Sequence, residues 1–171
     1  MIRNALFLAL IAFASAAQAQ TVAEIDKRDG AVFEAWQKTP LAVRHVTFVD
    51  GHPDGFGKYE ARADSVFKPG EKLVAYAEPV GYGWKDDGGG FYSFGFHVDF
   101  KIWDAAGKLI GEQKNFADLA QKSHARNREF MLVLTLSLSG APAGDYVLEY
   151  TLRDITGDRS TSFKLPFNIA G

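Results

Sequence analysis

A chain of 171 residues with 19 basic against 21 acidic side chains lacks the electrostatic footprint of a nucleic-acid binder. It has no cysteine, which excludes both a disulfide framework and a lipoprotein anchor. Stability must come from packing, and 14 Phe residues are its main resource.

The first residues, MIRNALFLALIAFASAAQAQ, have the three parts of a secretory signal peptide: Arg3, an apolar run from Ala5 to Ala14, and small residues leading to Ala17-Gln18-Ala19. Cleavage is expected after Ala19, because the run is shorter than the roughly 20 residues of a membrane-spanning helix. Removing 19 of 171 residues leaves 152, with 18 basic and 21 acidic side chains, enough for one domain with an ordinary core. No later apolar run is long enough to span a membrane, so the expected product is periplasmic or secreted.

Thr21 and Glu24 have the spacing of a capping box, and Val22, Ile25, Val32 and Trp36 fall near one helical face. The pattern predicts an N-terminal amphipathic helix over 22–37 within a 20–40 segment, ending before Thr39-Pro40 and lying on a sandwich or across its open end.

From residue 41 to residue 171 the signals are strand and turn. Val43 to Val49 is β-branched, and Asp50 to Gly57 reads as loop. Tyr59 to Phe67 predicts a second strand, and Lys68-Pro69-Gly70-Glu71 a type II turn. Leu73 to Glu78 is a strand covered on both faces, stopped by Pro79. Gly81 to Gly90 is then a glycine-rich connection.

Tyr92 to Trp103 organises the rest. Tyr92, Phe94, Phe96, Val98, Phe100 and Ile102 form a dry face, while Ser93, Gly95, His97, Asp99, Lys101 and Trp103 form a wetter one. A hairpin turn at Asp104 to Gly107 returns into 108–116, and 117–127 reads as loop; the basic stretch Lys122 to Arg128, which overlaps its end, reads as a solvated loop. Alternation resumes through Phe130 to Leu138, then Tyr146 to Arg153, then Phe163 to Ile169. Pro166 marks the last strand as an edge or a bulge. About eight strands stacked in two layers make an all-β sandwich.

Pro142-Ala143-Gly144-Asp145-Tyr146-Val147-Leu148, with Leu152-Arg153-Asp154 and Phe163 to Ile169, resembles the closing hairpin of bacterial immunoglobulin-like domains. The resemblance implies that Tyr146 forms a tyrosine corner, its hydroxyl bonding an upstream backbone group. Gly55-Phe56-Gly57-x-Tyr59-x-x-Arg62, Phe67-x-Pro69-Gly70-Glu71 and Tyr76-x-Glu78-Pro79-x-Gly81 are similar to an uncharacterised exported bacterial family. That likeness implies an immunoglobulin-like antiparallel β-sandwich and supplies no activity. The Cys pair flanking a core Trp in antibody-type domains is missing here.

No Cys, Gly-x-Ser-x-Gly motif or phosphate-binding glycine loop is present, so no catalytic residue and no cofactor is predicted. His97 and Asp99 share one strand face and could share a metal ion if His45 or His52 joined them. A calcium loop counted from Asp50 fails, because its twelfth place is Ala61. Tyr82, Trp84, Asp86, Asp87 and Tyr92, around the glycine-rich connection, are the candidate binding residues. Aromatic faces stack on sugars or on a partner's apolar side chains, and carboxylates accept hydrogen bonds; the competing reading has Tyr82 and Trp84 folded back as a cap. The expected function is a non-enzymatic binding module that engages a protein or glycan in the cell envelope by sheet edge and loops. An extracytoplasmic protease inhibitor and a metal-dependent hydrolase centred on His97 and Asp99 are the competing readings.

Overall fold

A computed structural model describes residues 21–171; the signal-peptide expectation, over residues 1–19, lies outside them. The chain divides after Lys38 into two compact units. The first contains a helix, α1 (21–38), already helical at Thr21. Glu24 pairs with Arg28 one turn on, its carboxylate accepting from Nε at 2.9 Å. Val22, Ile25 and Val32 are exposed, while Phe33 and Trp36 are half-buried.

The unit Thr39–Gly171 is built of strands. These are β1 (Ala42–Gly55), β2 (Lys58–Ala61), β3 (Val66–Phe67), β4 (Lys72–Val80), β5 (Lys85–Gly88), β6 (Phe91–Asp104), β7 (Leu109–Ser123), β8 (Leu132–Ser137), β9 (Gly144–Asp154) and β10 (Ser160–Ile169). They form two sheets. One has the order β2-β1-β4-β8; the other has the order β3-β10-β9-β6, with β7 and β5 also on β6. All pairs are antiparallel except β3 with β10. On β6, β9 occupies one edge from Phe96 to Asp104 and β5 continues along it at Phe91 to Ser93, while β7 runs along the other.

The core lies where the sheets face each other. Phe48 of β1 meets Phe67 of β3 edge-on at 4.9 Å and Phe167 of β10 at 6.3 Å. Leu73, Leu132 and Leu134 are buried from one sheet, and Phe94, Phe96, Val98, Leu148 and Leu152 from the other. The predicted dry face of β6 is therefore the core face, with Tyr92 half-buried near its start and Phe100 half-buried between Val98 and Ile102.

Several elements differ from expectation, each because pairing outweighs local propensity. Asp50 to Gly55 continues β1 instead of looping, since Asp50 pairs with Glu60 and Gly55 with Lys58 around a turn at Gly57. The strand expected over Tyr59 to Phe67 breaks in two because the chain changes sheets. Arg62 holds that corner, donating to Asp50, Glu71 and the Val66 carbonyl while its guanidinium lies 4.3 Å from the Phe67 ring centre. Pro79 stays within β4, beyond the reach of β8, where only β1 flanks the strand. The expected loop over 117–127 is strand as far as Ser123, because β6 is long enough to pair with it there. The glycine-rich connection also gains a short strand, β5.

Pro166 does lie on an edge. Asn168 and Ala170 donate their N–H groups toward β3, to Ser65 and Phe67 carbonyls at 2.9 Å, and β3 pairs only with Asn168 and Ile169. Pro166 shares their parity, so its missing donor falls on that same side just beyond the end of β3.

Candidate binding groove

The outer face of the larger sheet carries rows set by register. Trp103 of β6 pairs with Val147 of β9, which pairs with Pro166 of β10. Lys101, Glu149 and Lys164 form the adjacent row. The first row is apolar and crosses three strands, and above it lies a cavity of about 620 Å³. Trp103, Val147 and Pro166 line it, with Lys164, Asp145 and Asn168 among its polar groups.

Several polar groups of this surface are held by neighbours. Trp103 Nε1–H donates to Glu149 Oε2 at 3.0 Å, and Lys164 Nζ lies 3.6 Å from that same oxygen. Lys101 Nζ sits 5.8 Å from the Trp103 ring centre. Asn168 Nδ2–H donates to Asp145 Oδ1 at 2.8 Å. At the turn after β6, Asp104 Oδ1 accepts the N–H groups of Ala106 and Lys108, which fixes the loop that closes one side of the groove. The result is a fixed apolar floor with oxygen acceptors on its rim, which is chemistry for binding.

The candidate residues around the glycine-rich connection are arranged differently. Tyr82 has no exposed surface, and its ring packs against Trp84, Phe94, Phe96 and Phe130. Its hydroxyl and the Trp84 indole N–H both donate to the Asn127 carbonyl, at 2.8 and 3.0 Å. Burial drives the Tyr82 phenol well above its usual range. Tyr82 therefore offers no face to a ligand, as the cap reading had it, because a large ring gains more from burial than from display. Phe91 stacks on His124, with ring centres 3.8 Å apart, and Arg126 lies 4.8 Å from the centre of the Tyr92 ring. The basic stretch expected to be a solvated loop thus covers the aromatic end of the β5–β6 hairpin. Asp86 and Asp87 are exposed; Asp86 accepts from the Gly88 N–H at 2.8 Å, and Asp87 accepts from the Ser93 hydroxyl, which with Lys122 holds its carboxyl below the usual range.

His97 and Asp99 do share a face, but they serve different partners. His97 Nδ1 lies 3.5 Å from Asp118 Oδ1. Asp99 accepts from Arg153 Nη2 and Nε at 2.9 and 3.2 Å, and from the Asn115 N–H at 2.7 Å. Among the described residues no group of three or more His, Cys, Asp or Glu could hold a metal ion.

No protein-family model matches this chain, and no curated protein matches it in sequence. Among the described residues no helix is long and apolar enough to cross a membrane. The groove escaped sequence reading because its floor comes from three separate segments. Two signals did exist: Trp103 closing the wetter face of β6, and Pro166 on the outward series of β10.

Proposed function

We propose that this chain is an exported, non-enzymatic binding module of the periplasm or extracellular space that engages a protein or envelope glycan. The observation that carries the reading is the groove over Trp103, Val147 and Pro166, whose volume of about 620 Å³ suits a ligand site and whose floor is apolar with a polar rim. An immunoglobulin-like sandwich of an exported bacterial family is the scaffold of this proposal. It is supported by the Tyr146 hydroxyl donating to the Pro142 carbonyl at 2.8 Å, the bond of a tyrosine corner, and by the pairing of β3, β10, β9 and β6 in one layer.

The test is affinity capture from an envelope extract with the wild-type chain and with Trp103→Ala, read by mass spectrometry and glycan analysis. A partner retained by wild type and lost by the variant is the expected result. Equal retention by both would overturn the assignment of the groove.

A further inference from the structure

The groove's chemistry is narrower than the choice between protein and glycan, and on the reading that this groove is the binding surface we infer that its ligand is an uncharged saccharide stacked on Trp103. The indole lies in a row continued by Val147 and Pro166, so the floor is a shallow apolar strip across three strands. Such a strip matches the C–H face of a sugar ring. The indole N–H is already engaged by Glu149 at 3.0 Å, which fixes the ring, and Lys101 Nζ lies 5.8 Å from the ring centre over one face, so the other apolar face is what the indole can offer.

The rim selects hydroxyl groups. Asp145 and Asn168 orient each other at 2.8 Å and still present carboxylate and amide lone pairs, and Ser65 and Asp104 also line the cavity. Acceptors of this kind suit a ligand rich in O–H donors. An anionic ligand is disfavoured, because Asp104 and Asp145 repel it and Lys164, the cation of the lining, lies 3.6 Å from Glu149. An extended peptide is disfavoured as well. Strand addition along β10 beside the groove meets Pro166, whose missing N–H faces that edge.

The experiment is a titration of the wild-type chain with maltotriose, cellotriose and N-acetylchitotriose, followed by the indole N–H resonances of its three Trp residues, Trp36, Trp84 and Trp103. At least one trisaccharide should bind with a Kd of about 1 mM or tighter and move the Trp103 resonance most. Trp103→Ala should weaken that binding about tenfold or more. Should that variant unfold, Asn168→Ala, on the exposed rim, should still weaken it several-fold. Absence of binding by all three sugars, or shifts confined to Trp36 or Trp84, would overturn the inference. If no sugar binds yet Trp103→Ala loses a captured protein, the saccharide assignment falls and the groove stands. If capture is equally unaffected, both fall.

Discussion

Trp103 and Glu149 are diagonal neighbours across β6 and β9, joined by an indole hydrogen bond of 3.0 Å. Glu149 also holds Lys164 at 3.6 Å, so one carboxylate sets the positions of a groove floor and of its rim cation. Glu149→Ala should shift the Trp103 indole resonance and cost about 1 kcal/mol, measured by urea unfolding. Glu149→Gln, which can still accept from the indole, should keep the resonance near its wild-type position.

Tyr146→Phe removes the donor to the Pro142 carbonyl while leaving the ring stacked on Phe167 at 5.4 Å. A loss of about 1–2 kcal/mol in unfolding free energy is expected, with an unchanged denaturant slope. An unaltered stability would mean that water satisfies the carbonyl equally well.

Gly95→Ala should be the most damaging small substitution in β6. Gly95 has φ +148°, and a Cβ there would run into the Leu119 carbonyl oxygen and come within 2.8 Å of Ala120 Cα, both backbone atoms of β7. A loss of more than about 3 kcal/mol, or failure to fold, is expected. Gly107→Ala is the control. Its φ of +76° is also unfavourable, but no atom lies within 4 Å, so about 1 kcal/mol is expected by thermal melting.

Asp99 predicts a pH dependence. Desolvation pushes its carboxyl upward, but the Arg153 guanidinium and the Asn115 N–H together outweigh it and hold the folded-state value below the usual range. The stabilisation is therefore complete above the unfolded pKa of about 4 and is lost as pH falls through the lower folded value. Asp99→Asn should be less stable than wild type by about 1 kcal/mol at pH 7, a modest figure because Arg153 is partly open to solvent. The two proteins should converge in unfolding midpoint as pH falls below about 4. A gap that stays constant down to strong acid would show that the carboxylate charge contributes nothing.

Tyr150→Phe should be neutral or slightly stabilising. The Tyr150 ring is fully buried, and its hydroxyl has no hydrogen-bond partner among the described residues. Removing an unpaired buried hydroxyl relieves a desolvation cost while Phe retains the ring packing against Phe163 at 5.6 Å. A clear loss by urea unfolding would indicate a buried water on that oxygen.

The elements most legible in the sequence are those whose signal is local. The period of two in Tyr92 to Trp103 assigns the core face of β6 residue by residue, and Gly144-x-Tyr146 announces the bond to Pro142. The helix over 22–37 likewise lies within α1. The polar stretches were misread where partners decide. Residues 117–123 alternate poorly yet extend β7, because the β6 edge supplies hydrogen bonds to any backbone laid beside it. In the sequence Tyr82 and Trp84 fit either display on a glycine-rich loop or a folded-back cap, and the choice depends on the Asn127 carbonyl, some forty residues away.

The strand-rich character, the face each β6 and β9 side chain takes and the lack of recognised catalytic motifs are all written in the sequence, which narrows Pro166 to an edge or a bulge; the pairing of β3 with β10 makes it an edge. Tertiary structure alone decided which strands became neighbours, and therefore that Trp103, Val147 and Pro166 would stand in one row. The reason lies in the backbone. Side-chain alternation is written into every strand, but the N–H and C=O groups that join strands are the same at nearly every residue, so register emerges only when the apolar faces are packed together.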